Sequence, residues 1–188
     1  MTTATVNAVL PLVDLAEWDA DWSQREEDYE LVAGIPALAP GEIYDNRNAA
    51  LELAVALRRI TPAPARVLID FDVQLSAVPA TVRRPDVLVL ASPLPNARRA
   101  MPEDVLFVAE VVSPSSTVTD WRYKRQEYAQ AGIPVYLVAD IREGSQRLTL
   151  FKDPTDGVYP DPPPTDGTSV TIAIGASQIT VRLSDLLA

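Results

Sequence analysis

Apolar positions along this chain recur in two rhythms, and each change of rhythm marks an element. Residues 13–29, VDLAEWDADWSQREEDY, carry Leu15, Trp18 and Trp22 at spacings of three and four, which predicts an acidic helix with a single apolar stripe. YELVAG and IPALAP follow as short strands separated by Gly34, the pattern of a hairpin. The segment from about Asp45 to Ile60, DNRNAALELAVALRRI, reads as a helix whose two final arginines suit its C-terminus, and TPAPA stops it.

Four strands are expected next: RVLIDFDVQL, RRPDVLVLA, VLFVAEVV and PVYLVAD. The first alternates, with Val67, Ile69, Phe71, Val73 and Leu75 on one face and Asp70, Asp72 and Gln74 on the other, as a strand with one wet face does. Between the third and fourth, Ser115 or Ser116 is placed to cap a helix from about Asp120 to Ala131, which Gly132 and Pro134 end. A crossover of that length predicts a parallel, right-handed pair. RLTLFK reads as a strand in hairpin with PVYLVAD, DPTDGVYPDPPPTDGT as a surface excursion, SVTIAIGASQITVRL as a last hairpin turning at Gly175, and SDLLA as a final helical turn. The fold class is therefore α/β or α+β, a mixed sheet with helices against it, and a length of 188 residues suits one domain.

Within this pattern Glu110 is out of place. Every other residue of VLFVAEVV is apolar, so the strand reads as fully buried, and its carboxylate must be protonated, paired with a cation or bound to a metal. A second acid, Asp86, stands at the mouth of the apolar run that begins at RRPD, where a proline suits a strand's first residue. On the following helix Asp120, Lys124 and Tyr128 are each four apart and share a face. An exposed ion pair between Asp120 and Lys124 is the plain alternative, but two acids on buried strands with a lysine beside them suggest a divalent-metal site.

Composition narrows the chemistry. The chain has no cysteine and no histidine, which excludes thiolate and imidazole metal sites, histidine bases and cysteine nucleophiles. Oxygen ligands remain, and they favour magnesium, manganese or calcium. The net charge of -10 opposes a nucleic-acid partner, but its distribution softens the objection. Residues 1–45 carry -9 and residues 151–188 carry -3, whereas residues 46–150, which hold the candidate site, carry +2. No apolar run is long enough to cross a bilayer and the first residues lack the features of a signal peptide, so a cytoplasmic protein is expected.

RRPDVLVL followed by VAEVVSPSSTVTDWRYKRQEYAQAGIPVYLVAD resembles the Uma-type family of restriction endonucleases, within the PD-(D/E)XK nuclease superfamily. The resemblance spans about residues 28–152. It implies a restriction-endonuclease-like core there, with residues 1–27 as an acidic helical extension and residues 153–188 as a C-terminal hairpin. It further implies a Mg2+- or Mn2+-dependent nuclease acting on DNA, with Asp86, Glu110 and the backbone carbonyl of Val111 as metal ligands and Lys124 as the catalytic lysine. In the superfamily that lysine usually stands two residues after the glutamate, where this chain has Val112, so Lys124 is its migrated equivalent. Asp120 and Tyr128 would support the lysine, and Glu52 or Glu42 would be an additional helical acid. Family members commonly carry a histidine near the start of the first core helix, where this chain has Asp45 and Asn46. A homodimer is the arrangement common among enzymes that cut both strands, with the tryptophan-bearing N-terminal helix as a possible interface. Two rival readings remain: a catalytically inactive nuclease-fold protein that binds or regulates, and a structural oligomer whose acids pair with Arg83 and Arg84.

Overall fold

A computed structural model describes residues 12–39, 41 and 43–187; the segment before Leu12, read above as lacking a signal peptide, and Glu42 lie outside them. The helix expected over residues 13–29 is short: α1 covers Leu15–Ala20 with Asp14 as its N-cap, and a 3-10 turn, Trp22–Gln24, follows. Trp18 is fully buried against Val13, Leu31, Ala80 and Val82, with Leu15 and Trp22 packed at the margin. The apolar stripe proposed as a dimer interface is thus used within the chain.

The hairpin is formed by β1 (Tyr29–Val32) and β2 (Ile35–Leu38). Its turn residues, Ala33 and Gly34, both have positive φ (49° and 80°), the geometry that matches strand twist in a two-residue turn. Helix α2 (Tyr44–Arg58) follows and buries Asn46, Ala49, Ala50, Leu53, Ala54 and Leu57, an i, i+3, i+4 stripe.

RVLIDFDVQL is not one strand. Asp70 has φ 50° and breaks it into β3 (Arg66–Ile69) and β4 (Asp72–Ala77), which enter different sheets. Aspartate tolerates this left-handed conformation better than most residues, so an acid mistaken for part of an alternating face is where the chain turns. Next come β5 (Ala80–Arg83), β6 (Val87–Leu90), β7 (Arg99–Ala100), a 3-10 turn (Pro102–Asp104) and β8 (Val105–Val112). The crossover after β8 is a π-helical stretch, Thr119–Lys124, continued by α3 (Arg125–Gln130). The remaining elements are β9 (Val135–Asp140), β10 (Arg147–Lys152), β11 (Ser169–Ile174), β12 (Ser177–Arg182) and α4 (Leu183–Leu186).

The mixed β-structure is shared between two five-stranded sheets, β2-β1-β5-β4-β7 and β10-β9-β8-β6-β3, with β11-β12 as a separate hairpin. As expected, β8 and β9 are parallel and β10 returns antiparallel to β9. Each face of the second sheet covers a core. Phe107, Ala109 and Val111 of β8 point to the side of α2, while Val108 and Val112 point to the side of α3 with Tyr128, Tyr136 and Phe151. Among the described residues no helix is long and apolar enough to cross a membrane.

Candidate active site

Register brings the two strand acids together. Val87 pairs with Ala109 in the antiparallel β6-β8 ladder, so Asp86, one residue earlier, lies level with Glu110, one residue later. Glu110 shares its face of β8 with Val108 and Val112, which directs its carboxylate to the crossover helix. Asp86 Oδ2 accepts the backbone N–H of Val111 at 2.6 Å, which ties its carboxylate to the end of β8.

The crossover meets Glu110 through Lys124, whose Nζ lies 2.9 Å from Glu110 Oε1, 3.2 Å from Glu30 Oε1 and 3.9 Å from Asp120 Oδ1. Asp120 and Lys124 are therefore a buried pair rather than an exposed one, with the two residues only 1% and 7% exposed. The tyrosine one turn on, Tyr128, donates to the same Glu110 Oε1 at 2.7 Å. The expected Ser115 or Ser116 helix cap is not formed. Instead Ser113 and Ser116 bond reciprocally, Ser113 Oγ accepting the Ser116 N–H at 3.1 Å and Ser116 Oγ accepting the Ser113 N–H at 2.9 Å, and Ser116 Oγ also donates to the Asp120 carboxylate, so the SPSS turn caps the chain's entry to the crossover from Ser113 and holds the acid.

Glu30, not anticipated from sequence, and Arg83, expected only as a partner of the strand acids, complete the cluster. Glu30 of β1 accepts from Arg83 Nη1 at 2.7 Å and from the Arg84 backbone N–H at 3.0 Å, besides its contact with Lys124. Arg83 in turn makes a two-pronged bond to Glu127 of α3, at 2.6 and 2.8 Å. Glu30 carried the same signal that exposed Glu110, an acid inside an apolar strand, but YELV is short enough to pass as a hairpin edge. Asn46, one of the two residues in the neighbourhood of the family histidine, donates from Nδ2 to the Val111 carbonyl at 3.2 Å.

Asp86, Glu110, Val111, Asp120 and Lys124 line one cleft of about 680 Å³, together with Glu30, Arg47, Arg83 and Arg84. Tyr128 lies behind it, fully buried. Glu52 is exposed on α2 and is not part of the cleft wall. A larger groove of about 920 Å³ runs along β10 and contains none of the predicted site residues, so the charge cluster marks the site rather than the volume. The arginines on which the structural-oligomer reading depended are engaged elsewhere, Arg83 by Glu30 and Glu127, and Arg84 by Asp72 and Asp28.

Four buried carboxylates, Glu30, Asp86, Glu110 and Asp120, share the buried cations Arg83 and Lys124. Burial pushes the Glu110 carboxyl up to about 8, more than the attraction of Lys124 lowers it. For Glu30 burial also acts upward, but Lys124 and Arg83 outweigh it and hold the group at about 2. Burial lowers Lys124, yet Glu110, Glu30 and Asp120 overcome this and raise it above its ordinary value, so it stays an ammonium. Asp120 is raised by burial, against Lys124 and Ser116, and its Oδ1 has no hydrogen-bond partner among the described residues.

The donor set suits a small hard cation. Among the described residues Tyr128 and Lys124 both meet Glu110 at Oε1, which leaves Oε2 for a ligand, and Asn46 takes one of the two lone pairs of the Val111 carbonyl. No group of three or more histidine, cysteine, aspartate or glutamate side chains that could enclose a metal occurs among the described residues. Magnesium does not need one: it is commonly held by one or two carboxylates, with water and substrate phosphate completing the shell.

No protein of curated function matches the chain. The solved structure of an Anabaena variabilis ATCC 29413 protein, described as "a putative nuclease belonging to DUF820", superposes with a TM-score of 0.58 over 87% of this chain and 91% of that one, at 12% identity. That likeness is one of fold. Residues 12–182 match the family model described as "Uma2: Putative restriction endonuclease", and the chain belongs to that family.

Proposed function

We propose that the protein is a divalent-metal-dependent endodeoxyribonuclease that hydrolyses phosphodiester bonds in DNA. The observation that carries the proposal is the buried Lys124 ammonium, 2.9 Å from Glu110, in the cleft that Asp86 also lines. Family membership supports the nuclease class. Asp86 and Glu110, with the Val111 carbonyl, would hold Mg2+ or Mn2+. Such an ion, when bound, polarises a phosphate oxygen and acidifies its water.

The chain's own residues do the rest. Lys124 is kept cationic by the carboxylates around it, so it places positive charge near the phosphate oxygens and orients the attacking water instead of serving as a base. Tyr128 fixes the Glu110 carboxylate, and the bond from Val111 fixes Asp86. Asp120 sits beside the lysine, and Ser116 holds it there. Plasmid DNA incubated with Mg2+ or Mn2+ should be cleaved by the wild type and not by Asp86→Ala or Lys124→Ala. Cleavage that persists in both variants would remove the site assignment.

A second reading, a nuclease fold used only for binding, is favoured by the Asn46 bond on the Val111 carbonyl, which occupies part of one proposed ligand. Calorimetry separates the two: a folded protein with no affinity for Mg2+ or Mn2+ supports the binding module.

A further inference from the structure

Glu110 has two tasks in the proposed site that pull against each other. Its Oε1 holds Lys124, and its Oε2 faces the demand for a metal ligand. A divalent ion on Glu110 draws the carboxylate's charge to itself and repels an ammonium bound to the same group, because like charges a few ångströms apart in a poorly hydrated cleft repel strongly. Lys124 then needs a second anion that the metal does not share.

The geometry points to Glu30 as that anchor, and we infer that it is a positioning residue which keeps the Lys124 ammonium in the cleft once Glu110 is engaged by metal. This rests on the reading of Asp86 and Glu110 as metal ligands. Three observations place Glu30 in the role. Its Oε1 lies 3.2 Å from Lys124 Nζ, within reach of a charge-assisted contact, whereas Asp120 stands off at 3.9 Å. Every oxygen of Glu30 is fixed: Oε1 also accepts the Arg84 N–H at 3.0 Å, and Oε2 accepts Arg83 Nη1 at 2.7 Å. Finally, Arg83 clamps Glu127, three residues beyond Lys124, so the same guanidinium holds the anchor and the helix that carries the lysine. The first sheet thereby contributes Glu30 of β1 and Arg83 of β5 to a site whose strand acids flank and lie on the second.

Lys124 and Lys152 are the only lysines in the chain, so their reactivity can be read separately. The test compares labelling of Lys124 by an amine reagent, with exposed Lys152 as internal reference, in wild type and Glu30→Gln, each with and without Mg2+. The wild type should stay protected in both conditions. Glu30→Gln should stay protected without Mg2+, where Glu110 still holds the lysine, and should label when Mg2+ is added. Its kcat for plasmid cleavage should fall roughly 10–100-fold with KM unchanged. Glu30→Asp, which keeps the charge but shortens the reach, should show the same metal dependence in weaker form, and it decides the question alone if the glutamine variant does not fold. Protection that survives Mg2+ in the variants overturns the inference, as does equal labelling without Mg2+, which marks a merely structural role. If the wild type binds no Mg2+ by calorimetry, the metal reading falls and the anchor with it; if it binds Mg2+ and labelling is unchanged, the anchor alone falls.

Discussion

Replacing Arg83 by methionine removes the cation that joins β1 and β5 of the first sheet to α3 while keeping much of its volume. Arg83 is 3% exposed and gives three hydrogen bonds, one to Glu30 and two to Glu127, so its loss strands a buried carboxylate beside Lys124 alone. Breaking a buried ion pair from one side costs about 3–5 kcal/mol. The depression of Glu30 sets the scale for its whole set of partners, Lys124 first, then Arg83 and the Arg84 N–H. A carboxyl held at about 2 instead of 4.5 stabilises the fold by about 3 kcal/mol at neutral pH. The folded value is depressed, so this stability is present above the unfolded value of 4.5 and is lost as pH falls towards 2. By pH 3 about 2 kcal/mol of it should be gone. Urea denaturation of Arg83→Met and wild type at pH 7 and pH 3 reads both quantities. The variant should be about 3–5 kcal/mol weaker at pH 7, and the gap should narrow at pH 3, where Glu30 without Arg83 takes up a proton that the folded wild type, with its carboxyl at about 2, does not. A difference under about 1 kcal/mol, or one that does not change with pH, would refute the ion-pair account.

Arg47, exposed in the first turn of α2, is the one cation of the cleft wall without an ion pair among the described residues. Arg47→Ala should raise KM for DNA with kcat unchanged and make the salt dependence of metal-free binding shallower by about one phosphate contact, measured by fluorescence anisotropy; an unchanged slope would remove it from the DNA path. Glu52 is exposed and outside the cleft, so Glu52→Ala should cleave plasmid at the wild-type rate and change stability by under about 0.5 kcal/mol. A loss of cleavage would restore it as the helical acid.

What the sequence made legible were local contradictions. Glu110 stands out because a carboxylate breaks an otherwise apolar strand, and the parallel register around it follows from the length of one crossover. Lys124 was found because i, i+4 spacing sets it with Asp120 and the chain offers few lysines. Glu30 and the actual pairing of Arg83 were not, because their partners are 94 and 44 residues away by number, Lys124 and Glu127, and no local pattern records such a pairing. The division of β3 from β4 was hidden for a different reason: a perfect alternation also fits a chain that turns from one sheet to another at a single positive-φ aspartate. The π-helical stretch is the other surprise: a widened turn stands where a regular helix was expected, and Asp120 and Lys124 are its buried residues.

The acidity that argued against a nucleic-acid partner acquires a different meaning at the site. Phosphate approaching Glu30, Asp86, Glu110 and Asp120 meets two buried cations, Lys124 and Arg83, that are already engaged, and on the cleft wall a paired Arg84 and Arg47, the one without an ion pair among the described residues. Each further negative charge raises the cost of ionising Glu110, whose carboxyl burial has already lifted to about 8. A divalent cation reverses that cost, since it favours the ionised carboxylate and offers the phosphate a positive surface. The proposed metal dependence would then have an electrostatic side as well: an ion held by these carboxylates offsets their charge and adds to what Arg47 offers a phosphate.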